Sequence, residues 1–131
     1  MLLLIVLLVL VLTLVQAMIP GALLAKQVGS DEQMGPRDEL PEPTAELSRA
    51  RRALGNLHET LPIFLTVALL SLQFGEQGVV TVLGASVYLA GRLAHVVCYI
   101  KGLSPWRSYA FGVSILGILA MAAMIVPHIW N

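Results

Sequence analysis

Arg52, Asn56 and Glu59 stand four and three residues apart in the segment RALGNLHETLP, residues 52 to 62. At 100° per residue a helix keeps the three within about 60° of one another, as one polar stripe from which His58 points away. A second set, Arg92, His95 and Tyr99, follows intervals of three and four, and Arg107, Phe111 and Ser114 make a weaker third. The chemistry open to such groups is recognition of charge. An ionised side chain in the middle of a membrane span costs at least about 2.5 to 3.5 kcal/mol, so these groups should face a bundle interior and find partners. Glu59 then needs a cation, and Arg92 is a better candidate than Arg52, which lies seven residues away on the same face. Two readings stand. Glu59, Arg92 and Asn56 can form a hydrogen-bonded clamp that locks helices together. Alternatively, the arginines gathered at one end of a small bundle exceed what one glutamate can neutralise, and surplus buried cations imply an anionic ligand.

The other reactive side chains add less. His95 reads equally as a packing histidine and as a base, and a metal site is not expected because no other His or Cys lies at ligand spacing. Cys98 is the single cysteine, which excludes an intrachain disulfide; it falls off the polar stripe and reads as packing. His58 is placed against headgroups or a neighbouring subunit, and His128, close to Trp130, at an interface.

The elements that must position these residues are membrane helices. The chain is 57% hydrophobic and 12% charged over 131 residues, too apolar for a soluble domain of this size. A span takes about 20 mostly apolar residues, so the length allows roughly four spans and short loops. The expected spans are residues 1–25, 48–74, 79–99 and 105–129. The first carries no charge, and although Val15-Gln16-Ala17 resembles a cleavage site, no basic region precedes it, so a retained helix is favoured, with a bend at Pro20. Residues 26–47 are polar and rich in Pro, Gly and acidic side chains, hence a loop. Pro105 suits the first turn of the last helix, and Gly84 and Gly91 suggest close helix packing.

Lys26, Arg37, Arg49, Arg51 and Arg52 lie in or beside the first loop, and Arg92, Lys101 and Arg107 flank the third. Counting only Lys and Arg, the first and third loops are cytoplasmic and both termini lie across the membrane, with Trp106 and Trp130 as anchors near opposite faces. The net charge is zero and there is no basic block, which argues against a nucleic-acid partner.

The segment from Arg52 to Glu59, followed by Pro62 and Phe64, resembles the second-helix motif of the MAPEG family, the membrane-associated proteins of eicosanoid and glutathione metabolism. GRLAHVVCY, residues 91–99, and Arg107-Ser108 are similar to that family's third helix and the start of its fourth. The similarity runs from Pro36 into the fourth helix. It implies an all-α membrane protein, a homotrimer of four-helix subunits, with glutathione as co-substrate between subunits near the cytoplasmic face. By resemblance Arg52, Asn56, Glu59, Arg92, His95 and Tyr99 belong to the glutathione site, and Arg107, with Ser108 beside it, holds the thiolate. The chain departs from the prostaglandin-synthesising members in three ways: Gly55 replaces a residue that can be basic, the interval from Tyr99 to Arg107 is one residue shorter, and Phe111 replaces a tyrosine. It therefore looks like the short bacterial-type branch, in a bacterial inner membrane. Transfer of glutathione to an apolar electrophile from the bilayer is the activity so implied, with peroxidase activity through the same thiolate as a variant. The alternative is a non-catalytic interaction protein on the same scaffold; a transporter is disfavoured by the lack of an internal repeat.

Overall fold

The computed structural model describes residues 1–130, and these form helices joined by short turns and, over residues 35–44, by a longer irregular connection. The order is α1 (Leu2–Val28), α2 (Ser30–Met34), α3 (Ala45–Gln73), α4 (Val79–Ile100) and α5 (Trp106–Ile125), with a closing 3₁₀ turn (Val126–Trp130). Four of these are long and apolar enough to cross a membrane: α1, α3, α4, and α5 with its 3₁₀ extension. At about 1.5 Å per residue, the 22 residues of α4 cover about 33 Å, close to the roughly 30 Å of a hydrocarbon core.

The boundaries shift from expectation for local reasons. α1 passes unbroken through Pro20 to Val28 and stops at Gly29, whose φ of 91° is left-handed. α3 begins three residues before the expected Ser48, because the Thr44 hydroxyl accepts a hydrogen bond from the Leu47 amide at 3.2 Å and caps the helix. Pro105 sits at the N-cap of α5 rather than in its first turn. The polar stretch expected as a loop contains the short α2, which packs back on α1. The Gln27 side chain pins the far end of that stretch, donating to the Glu42 carbonyl at 2.8 Å and accepting from the Thr44 amide at 3.3 Å.

α3 and α4 each touch every other long helix, with α1 and α5 on the flanks. The core joins Ile5, Val6 and Val9 of α1 to Phe64 and Ala68 of α3, Ala85 and Tyr88 of α4, and Ile118 and Met121 of α5. Phe64 and Tyr88 stack with ring centroids 4.2 Å apart, and the buried Tyr88 hydroxyl shares a 3.2 Å hydrogen bond with Thr60. Outward faces carry Leu3, Leu7 and Leu14 on α1, Leu69 on α3, Leu83 on α4 and Leu116 on α5, all exposed and suited to lipid.

Close approach of α4 and α5 depends on glycine. A Cβ on Gly84 would lie 2.7 Å from the Gly117 carbonyl oxygen, and one on Gly91 would lie 2.9 Å from the Ser114 amide nitrogen. The expected packing role of Gly84 and Gly91 therefore holds, with Gly117 facing Gly84 and Ser114 facing Gly91 on α5. This seam fixes the register of α4 against α5, and with it the placement of Tyr99 relative to Arg107.

Candidate functional site

Antiparallel connection through two short turns brings the start of α3, the end of α4 and the start of α5 to one end of the bundle. Here Arg52, Gly55, Asn56 and Glu59 from α3, His95 and Tyr99 from α4, and Arg107, Ser108 and Phe111 from α5 line a cavity of about 540 Å³. That is within the roughly 300–1,000 Å³ of small-molecule sites. Of the site residues named from the sequence, all but Arg92 line this space.

Arg92 stands behind the cavity wall, 1% exposed, and its Nη1 donates to Asn56 Oδ1 at 2.9 Å. Among the described residues no acceptor reaches its Nε or Nη2. Asn56 in turn donates from Nδ2 to Glu59 Oε2 at 3.4 Å. The direct Glu59–Arg92 ion pair expected from the sequence is thus not formed: among the described residues the only pair within 4.0 Å is that of His128 with Glu76, at 3.6 Å. The reason is positional. Asn56 lies one turn from Glu59 on the same face and occupies the space between carboxylate and guanidinium, while Glu59 is exposed and needs no buried cation. The hydrogen-bonded tie between α3 and α4 exists, as the clamp reading held, but Glu59 is only its outer end.

On the opposite wall the Arg107 guanidinium lies over the Tyr99 ring, 4.8 Å from its centroid, a cation–π contact that orients a half-buried cation. The buried His95 meets Tyr99 edge-on at 5.3 Å and Phe111 at 6.2 Å. Together these rings form an aromatic floor beneath the arginines. Ser114, placed by spacing on the same stripe as Arg107 and Phe111, belongs instead to the seam: it is buried, donates to the Phe111 carbonyl at 2.7 Å and packs against Gly91. Its spacing suits the face but sets it one turn too deep for the cavity. Cys98 does not line the cavity, and His58 is exposed away from it. His128 stacks on Phe74 at 5.2 Å and pairs with Glu76, joining the chain's last turn to the α3–α4 connection.

Arg49, counted from the sequence only among the basic residues beside the first loop, also reaches this end of the bundle. Arg49 donates from Nε to the Ile100 carbonyl at 2.8 Å, tying α3 to the last turn of α4. The Arg49–Arg52 interval of three was the available signal, since it puts both on one helical face. The two flank a second, smaller hollow of about 290 Å³ that adjoins the first, bounded also by Tyr99, Gly102, Ser104 and Arg107.

The arrangement can hold a small molecule bearing several negative charges and one positive charge. Arg52 and Arg107 line the cavity with no carboxylate within 4.0 Å among the described residues, Glu59 offers one carboxylate, and Asn56 and Ser108 add neutral donors and acceptors. Compared with known proteins, residues 1–127 match the family model described as MAPEG family, a longer stretch than the motifs alone indicate. No curated protein matches the chain.

Proposed function

This chain belongs to the MAPEG family, and from that premise we propose that it is a membrane enzyme using glutathione as co-substrate, transferring it to an apolar electrophile. The observation that carries the proposal is the cavity's charge inventory. Glutathione has two carboxylates, one ammonium group and a thiol; the lining supplies arginines in excess and a single glutamate. Glu59 is the group to take the ammonium, with Arg52 for a carboxylate and Asn56 held in place for hydrogen bonding by the buried Arg92 behind it.

Arg107 is the group to take the sulfur. A free thiol has a pKa of about 8.5 and is mostly protonated at neutral pH; a fixed guanidinium beside it favours the thiolate. Tyr99 keeps that guanidinium from swinging into solvent, and the Ser108 hydroxyl is next to it in the chain. The thiol proton leaves to solvent. The sulfur lone pair then forms the new S–C bond, and the leaving group departs with the electrons of the bond that breaks. The second substrate reaches the site from the bilayer along the apolar outer faces.

Arg52, Glu59 and Ser108 are exposed in one protomer, so the cavity lacks a wall. A homotrimer, in which each cavity is closed by the adjacent subunit, supplies one. The distribution of Lys and Arg supports a cytoplasmic position for this end of the bundle.

The test is thermal unfolding of the purified protein in a neutral detergent with increasing glutathione. A ligand of the folded state stabilises by RT ln(1 + [L]/Kd), about 2.7 kcal/mol at a hundredfold excess over Kd. A midpoint that climbs with millimolar glutathione, together with conjugation of a generic aryl halide electrophile, is expected. An unmoved midpoint and no conjugate would reject the enzyme and leave a non-catalytic protein on the same scaffold.

A further inference from the structure

Gln16 stands out in the sequence only for its place in Val15-Gln16-Ala17. In the fold it is 2% exposed near the middle of α1, and neither its Oε1 nor its Nε2 has a partner among the described residues. A side-chain amide buried without hydrogen bonds is expensive, and the cavity does not account for this one, because Gln16 does not line it.

Helix register shows what lies beside it. Gln27 accepts from the Thr44 amide, which sets α1 against α3 at the end of the bundle. Eleven residues back along α1 stands Gln16, and twelve residues on along α3 stands Asn56, about 16 and 18 Å from that tie. The core leads to the same pair from the other side: Val9 and Phe64 share one apolar cluster, Gln16 is seven residues from the first and Asn56 eight from the second. Seven residues apart on a helix, Gln16 and Val9 face within about 20° of each other, toward α3 and α4, on both of which α1 packs. Arg92 is at this depth too, since it donates to Asn56 at 2.9 Å.

The neighbouring polar groups are already matched. Thr60 and Tyr88 share a hydrogen bond, and Asn56 is engaged by Arg92 and Glu59. What remains at this depth among the described residues is the Gln16 amide and the edge of Arg92 formed by Nε and Nη2. That edge is the one by which a guanidinium takes paired oxygens side-on. A water held by two to four polar groups satisfies a buried donor and a buried acceptor that do not touch.

We propose that Gln16 is a positioning residue for the glutathione site: its amide and the Nε–Nη2 edge of Arg92 share one buried water, which extends the tie between α3 and α4 to α1. The functional part rests on the activity proposed above. With that edge held, Nη1 stays on Asn56 Oδ1, and the Asn56 amide is oriented with Nδ2 toward Glu59 at the cavity wall. With the edge released the guanidinium turns, the Asn56 amide loses its orientation, and glutathione meets a donor and an acceptor interchanging at one point of the wall.

The test uses the full chain in a neutral detergent, with Gln16→Leu and Gln16→Glu each made in the parent and in Arg92→Met. In the parent, Gln16→Leu should raise the unfolding equilibrium constant about tenfold, by stranding one edge of a charged group. Gln16→Glu should restore it, since a carboxylate takes that edge directly. In Arg92→Met the order reverses: Gln16→Leu is neutral or stabilising, and Gln16→Glu, a carboxylate with no cation, is the least stable protein of the set. The same order in both backgrounds overturns the proposal. Should Arg92→Met not fold, the parent pair decides alone, because a glutamate less stable than a leucine at this position means that no cation faces it. A density map that resolves waters should show one between the two side chains; a third side chain standing there overturns the proposal, as does an intact mass showing residues 1–17 removed. Kinetics then separates positioning from packing. Gln16→Leu should raise the KM for glutathione about three- to tenfold, the worth of one hydrogen bond, with kcat kept, and Gln16→Glu should return it to the parent value. Reversed stability order with an unmoved KM leaves a scaffold contact and overturns the positioning role. If the order reverses but the parent neither binds nor conjugates glutathione, the tie between Gln16 and Arg92 stands and the enzyme falls.

Discussion

Replacing Asn56 by leucine, which keeps the length of the side chain and removes its polarity, tests the tie between α3 and α4. Arg92 is 1% exposed and Asn56 Oδ1, at 2.9 Å, is its only side-chain partner among the described residues. A hydrogen bond to a charged group contributes about 1.5–3 kcal/mol, and losing it here strands a guanidinium whose Nε and Nη2 already lack protein acceptors. Asn56→Leu should therefore destabilise the fold by about 2–3 kcal/mol, toward the upper end of that range. Arg92→Met removes the buried charge and its bond together, and the cost is smaller than for stranding the charge, because no unpaired ion remains. The informative quantity is the coupling in the double variant. With Arg92 already methionine, Asn56→Leu should cost little more, giving a coupling of about 1.5–3 kcal/mol. The assay is equilibrium unfolding of all four proteins in one detergent, at one protein concentration, without glutathione. Strict additivity of the two substitutions would refute the reasoning, since it would mean that the 2.9 Å contact contributes nothing specific.

The same geometry sets three further outcomes. Arg107→Ala should remove conjugation of a generic electrophile while lowering the unfolding midpoint by only a few degrees, because Arg107 is half-buried and its contact is a cation–π worth about 1 kcal/mol; unchanged turnover would take Arg107 out of the mechanism. Glu59→Gln should raise the KM for glutathione about tenfold or more while leaving stability within about 0.5 kcal/mol, because the carboxylate is exposed and its only partner among the described residues is the Asn56 amide; a large loss of stability with an unchanged KM would reassign it to the scaffold. Gly117→Leu should prevent α4 and α5 from closing, at a cost above the roughly 1–3 kcal/mol usual for overpacking, because the obstructing atoms are backbone, the Tyr88 amide nitrogen standing 2.8 Å from a Cβ at this position. A wild-type midpoint for that variant would contradict the seam.

What the sequence disclosed and what it withheld differ by physical origin. Helix periodicity groups residues by face, and Arg52, Asn56 and Glu59 do share one wall of the cavity and His95 and Tyr99 another, while Arg92 and Ser114, on the same stripes by spacing, lie behind it. Hydropathy located four spans within a few residues because the bilayer imposes length independently of packing. Depth and partner choice are tertiary quantities. Spacing could not tell that Ser114 turns into the glycine seam while Phe111, three residues earlier, opens on the cavity, since that depends on how closely α5 approaches α4. Nor could it choose between Glu59 and Asn56 as the partner of Arg92: two residues on one face compete for one guanidinium, and the tilt between helices decides. The Thr44 cap was legible in principle, because a threonine before a long apolar helix is a start signal, but the polarity of the flanking loop masked it.

The depth of each arginine also explains how so apolar a chain carries several of them. Arg92 lies a little over two turns inward from the end of α4, where water is scarce, and among the described arginines it alone is held by a side-chain acceptor within the bundle. Arg49 takes a backbone carbonyl, at the terminus where the last carbonyls of a helix have no intrahelical donor and carry partial negative charge. Arg107, one residue into α5, rests on an aromatic face, and Arg52, on the exposed side of α3, has no ion-pair partner among the described residues. The compensation weakens from Arg92 outward as access to water rises, which is the order that desolvation cost dictates. A ligand entering from the end of the bundle therefore meets the least committed cations first. It gains charge-assisted hydrogen bonds there without having to break the buried tie that holds α3 to α4, so binding and folding draw on different arginines, and substitutions at Arg52 and Arg92 should separate the two.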